Sequence, residues 1–114
     1  MARLAYVRVS SVDQNEARQL ESLRRYGISK WFTEKVSAKD TNRPQLNMLL
    51  DYAREGDTIY IHDFSRLARS TVDLLHMVES LQSKGIELVS IKENIDTATA
   101  TGKLMLTVIG AINS

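Results

Sequence analysis

A chain of 114 residues has room for one domain with a single core. Its 15 Lys+Arg against 14 Asp+Glu leave a net charge of +1, which excludes a polybasic coat, so any anion site has to come from local clustering. The lack of cysteine excludes a disulfide framework, thiolate chemistry and cysteine-ligated metal; with no leader-like start and no apolar run near the ~20 residues of a membrane span, a cytoplasmic setting away from any membrane is expected.

In chain order, Leu4 to Val9 reads as a short central strand buried on both faces. Asn15 to Tyr26 carries Ala17, Leu20 and Leu23 on one helical stripe, with Gly27 as the stop. Trp31 to Thr33 is a brief second strand, and "EKVSAKDTNR" after it reads as a polar loop. Pro44 opens a second helix with Leu46, Leu49, Leu50 and Ala53 inward, ended by "EGD". Thr58 to Ile61 is a third strand, and "DFSRLARS" connects it to a helix over Thr71 to Lys84, closed by Gly85. Ile86 to Ile91 is a fourth strand, "KENIDTATATG" a polar loop, and from about Lys103 the spacing of Leu104, Met105, Val108, Ile109 and Ile112 starts a last helix.

Strands alternating with helices predict an α/β three-layer sandwich, with a mainly parallel sheet of about four to five strands and helices on both faces. The uncapped apolar helix at the end reads as cut off. The expected division is residues 1–102 as the domain and 103–114 as the beginning of a longer helix.

Ligands of open α/β sheets bind outside the carboxyl ends of the strands. Arg8 and Ser10 lie there, two apart on one strand, and so project together. Arg8 alone would equally fit a side chain reaching solvent or paired with Asp57. Arg66 and Arg69 are three apart and would share a face at a helix N-terminus, a natural place for an anion, if the helix starts with them. Arg43 ends the loop after the second strand. Guanidiniums converging on a serine hydroxyl suit a phosphate, whose oxygens match their forked donors. His62 is close enough to the crevice for a supporting part, while His76 reads as a half-exposed helical residue. Asp57 and Asp63 flank the third strand and offer an alternative, a metal-dependent phosphoryl-transfer or nuclease site, although Asp57 sits at the amino end.

The stretches "YVRVSSVDQ", "RQLESL", "NRPQLNMLL", "EGDTIYIHDFSRLARS" and "TATATGKLMLTVIGAI" resemble, in order and spacing, the catalytic domain of serine site-specific recombinases of the resolvase/invertase family. The resemblance covers essentially the whole chain and implies DNA strand exchange without metal or cofactor. Ser10 would be the nucleophile forming a 5′-phosphoserine link. Arg8, Arg66 and Arg69 would bind the scissile phosphate with Arg43 contributing, Gln14 and Gln19 would lie around the nucleophile, and Asp57 would help fix an active-site arginine. The implied partners are double-stranded DNA, held mainly by a further C-terminal DNA-binding part, and copies of the protein itself in a homodimer and a homotetramer. One departure stands out: many members carry an acidic residue where this chain has Ser65. A catalytically inactive dimerisation remnant is the remaining alternative.

Overall fold

The computed structural model describes residues 2–10, 16–36, 43–68 and 70–113, apart from the side chains of Ser10, Glu16, Val36, Ile112 and Asn113. The elements are β1 (Arg3–Ser10), α1 (Glu16–Arg24), β2 (Lys30–Val36), α2 (Pro44–Tyr52), β3 (Thr58–Ile61), a 3-10 turn (Phe64–Arg66), α3 (Thr71–Ser83), β4 (Glu87–Ser90), β5 (Ile95–Asp96) and α4 (Ala100–Asn113). The sheet runs β2-β1-β3-β4-β5. Its first four strands are parallel, and β5 turns back antiparallel on β4.

The alternation of β1 divides the core in two. Leu4 and Tyr6 face the larger cluster, where Leu46 and Leu49 of α2, Leu74, Val78 and Leu81 of α3 and Leu106 of α4 meet Ile59, Ile61 and Leu88 of the sheet. Ala5, Val7 and Val9 face a smaller cluster closed by Leu23 of α1, with Leu20, Ile28, Trp31 and Tyr60 around it. A fully buried aliphatic side chain contributes about 1.5–3 kcal/mol, so the larger cluster carries most of the stability. Gly27 and Gly85, the two predicted stops, both take left-handed φ, 66° and 76°, where a side chain would be strained. Among the described residues no helix is long and apolar enough to cross a membrane.

The sequence reading is corrected at three places. β2 does not end at Thr33 but continues through Glu34 to Val36. The polar stretch after β4 contains β5, and α4 begins at Ala100 rather than Lys103. Gly102, in the first turn of α4, lies so close to Asp96 that an added Cβ would stand 2.0 Å from its carbonyl oxygen, so α4 starts against β5.

Candidate active site

β1 pairs with β2 along Leu4 to Ser10, but with β3 only along Arg3 to Ala5. Beyond Ala5 the pairing of the two central strands stops, as β3 itself ends at Ile61. The strand order also reverses between them, since β1 leads outward to β2 and the chain then returns to β3. A crevice at such a switch point is where open α/β sheets bind ligands.

Side chains replace the missing ladder there. The Arg8 carbonyl accepts from Nε2 of Gln19 at 3.3 Å and from Nη1 of Arg66 at 3.2 Å. Gln19 is buried on α1, and its Oε1 has no donor among the described residues. Arg8, half-buried, follows Leu4 and Tyr6 on the face of α2 and α3 by strand alternation. Arg43, at the start of α2, donates through Nη1 to the Leu67 carbonyl, just past the turn that carries Arg66. Arg8, Arg43, Arg66 and Gln19 therefore border one place, at the end of β1 where Ser10 closes the strand.

Buried and half-buried carboxylates hold these segments. Glu34, 2% exposed on β2, accepts at Oε1 from the backbone N–H of Gln45 at 3.0 Å and of Leu46 at 3.3 Å. It thus satisfies the first turn of α2, which has no capping side chain of its own. The Tyr6 hydroxyl donates to the same carboxylate at 3.5 Å. Burial pushes the Tyr6 pKa up to about 12, helped by the Glu34 charge and opposed by Arg43 and Arg8. Glu93 accepts from the Phe64 N–H at 3.3 Å and from the Ser90 hydroxyl, tying the 3-10 turn to the end of β4. Asp63 accepts from the Ser65 hydroxyl and stands 3.6 Å from Arg66 Nε. His62 Nδ1 lies 3.1 Å from Ser22 Oγ on α1, which joins it to the border of the crevice.

Two expectations change. Arg66 is not on the N-terminus of α3: that helix starts at Thr71 with Ser70 as its cap, accepting from the Asp73 N–H at 3.2 Å. Arg66 instead ends the 3-10 turn, so side chains and carbonyls orient it rather than a helix end. Asp57 is away from the arginines of the crevice, at the amino end of β3, and its carboxylate accepts from the backbone N–H of Ala2 and of Arg54, each at 2.8 Å. Burial alone would raise its pKa, but these two donors, with the Arg54 charge, hold it below 3.8. Asp57 and Asp63 lie at opposite ends of β3, which removes the shared-ion arrangement. Gln14 and Arg69 lie outside the described residues, as does the Ser10 side chain.

The signals for Glu34 and Asp63 were present but weak. Glu34 is two residues after Phe32 and so shares its buried face, and Asp63 is three before Arg66.

The family model for the resolvase N-terminal domain matches residues 3–114. The chain belongs to the resolvase family. The Tn501 resolvase of Pseudomonas aeruginosa is 46% identical over 112 residues, which span 96% of this chain and 59% of that protein. The DNA-invertase hin of Salmonella typhimurium is 34% identical over 112 residues, 98% of this chain and again 59% of the relative. Among solved structures, the N-terminal catalytic domain of TP901-1 integrase superposes with a TM-score of 0.78 at 29% identity, covering 99% of this chain and 94% of that one. This resolvase-family chain thus spans about three-fifths of the length of these curated relatives.

Proposed function

We propose that this chain is the catalytic domain of a site-specific DNA recombinase, with Ser10 as nucleophile. Ser10 Oγ attacks a DNA phosphorus, the P–O3′ bond breaks, and the 3′ oxygen leaves as a hydroxyl after taking up a proton. The 5′ phosphate is then esterified to the serine. Attack of a 3′-hydroxyl on that ester reverses the step, so rejoining needs no external energy source. Arg8, Arg43 and Arg66 neutralise the phosphate and the charge gained in its transition state. Arg69 joins them by its place in "RLAR", and Gln14 and Gln19 shape the surroundings of the nucleophile. No step in this scheme calls for a metal or cofactor.

The observation that carries this reading is that Arg66 donates to the Arg8 carbonyl near the end of β1, while Arg43 donates to the Leu67 carbonyl one residue past Arg66, which draws three arginine-bearing segments together. The related hin protein of Salmonella typhimurium is a DNA-invertase. For this chain, double-stranded DNA, the homodimer and homotetramer, and action in the cytoplasm belong to the same proposal. With a net charge of only +1, most phosphate contacts would come from parts outside residues 1–114.

The test is covalent trapping on nicked or gapped duplex DNA carrying the recombination site, using the protein encoded by the complete reading frame. A protein–DNA adduct that survives denaturation, persists in a chelator and disappears in Ser10→Ala supports the reading. An adduct retained by Ser10→Ala refutes the assignment of the nucleophile, and loss with chelator points to a metal-dependent site.

A further inference from the structure

The carboxylate of Asp63 has no part in the reaction as written above, yet it is 8% exposed and sits at the mouth of the crevice. Oδ1 accepts from the Ser65 hydroxyl. Oδ2 faces Arg66 Nε at 3.6 Å on one side and His62 Nε2 at 4.0 Å on the other. The backbone between Asp63 and Arg66 is a 3-10 turn whose Phe64 N–H is held by Glu93. The turn keeps the backbones of Asp63 and Arg66 within one short, tethered segment. Arg66 Nη1 is held in turn by the Arg8 carbonyl. The ion pair on its Nε side, at 3.6 Å, and the hydrogen bond from Nη1 together restrain the orientation of the guanidinium.

Ser65 is part of the same arrangement. A carboxylate is expected at position 65 by resemblance, but a hydroxyl stands there, and that hydroxyl donates to Asp63. The negative charge missing at 65 is found one hydrogen bond away, on residue 63.

We infer that Asp63 is a positioning residue for Arg66: it supplies from position 63 the carboxylate that position 65 lacks, and aims the guanidinium across the crevice. The catalytic consequence rests on the proposed recombinase reading, whereas the Asp63–Arg66 contact does not.

Two measurements test it. In the protein from the complete reading frame, Asp63→Asn keeps the shape and removes the charge. The rate of serine–DNA adduct formation should fall about 10²-fold through misaimed Arg66, with DNA affinity unchanged. Asp63→Ser should be as slow, and combining it with Ser65→Asp should restore most of the rate, which a merely structural loss would not allow. A full rate in Asp63→Asn, or a paired variant no faster than Asp63→Ser, overturns the inference. The second measurement needs no activity: in 1H–15N spectra of the 114-residue chain, the Arg66 Nε–Hε signal should be slow to exchange and should shift and broaden in Asp63→Asn. An unmoved signal overturns the inference too. If the unaltered protein forms no adduct, the recombinase reading fails, and the spectrum alone decides the positioning.

Discussion

Asp57 and Asp63 bracket the same four-residue strand and are used in opposite ways. Asp57, at the amino end, spends its oxygens on the backbone N–H groups of Ala2 and Arg54, which fastens the start of the chain to the turn before β3. Asp63, at the carboxyl end, faces side chains: Ser65, Arg66 and His62. A carboxylate saturated by main-chain donors holds the fold, and one surrounded by side chains sets the direction of a cation. The two ends of a parallel sheet thus divide stability from chemistry.

The sharpest way to break this comparison is at its catalytic end. Arg66→Ala should lower the rate of adduct formation by about 10²–10³-fold, and Arg66→Lys should recover little of it, because an ammonium lacks the planar fork. A rate near that of the unaltered protein would place the chemistry elsewhere. Glu34→Ala should affect both ends of the argument. It strips the N–H groups of Gln45 and Leu46 of their acceptor, costing about 1–3 kcal/mol in urea unfolding, and it releases the start of α2, where Arg43 sits. Asp57→Asn should cost about 1 kcal/mol and leave the rate of adduct formation alone; a catalytic loss larger than the loss of folded protein would contradict the division.

The pH dependence follows with its sign. The Asp57 pKa is lowered in the folded protein, so its contribution is complete above the ordinary 3.8 and fades as pH falls through the lowered value. Unfolding at acid pH should therefore be less steep in Asp57→Asn. The smallest expected effect is at Tyr6. Its raised pKa means a contribution complete below pH 10 and lost as pH rises toward about 12. In ultraviolet titrations of Tyr6→Phe and the unaltered chain, the component lost in the variant should be one that ionises at about 12.

Much of this architecture is legible in the residues because hydrophobic period and stop signals agree. The stripe of Leu74, Val78 and Leu81 with Gly85 behind it leaves little choice for α3. The nearness of the segments carrying Arg8, Arg43 and Arg66 is legible for a related reason, as Arg8 lies near the carboxyl end of one strand and the other two come after the carboxyl ends of others. The remainder depends on contacts distant in sequence. Glu34 reads as a loop residue until α2 returns, 11 residues later, to place its first N–H groups on the carboxylate. β5 is two residues long and has no pattern to detect. Asp57 resembles an active-site carboxylate in type and spacing, but its donors are backbone groups, one of them 55 residues away. Sequence pattern reports what is buried; it does not report which main-chain group arrives beside it.

The end of the β1–β3 pairing at Ala5 has a further consequence for the crevice. Along that margin the strand is fastened by two side chains, Gln19 and Arg66, instead of by a ladder. Each such bond is worth only about 1 kcal/mol net, and a rotamer change breaks it within nanoseconds once the side chain has room to turn. On the proposed recombinase reading, a phosphodiester can share Arg66 with the Arg8 carbonyl, through the other guanidinium nitrogens, while the main-chain bonds of the sheet stay made. On that reading, a ligand enters at the end of the central strands by exchanging side-chain partners, without unzipping the sheet.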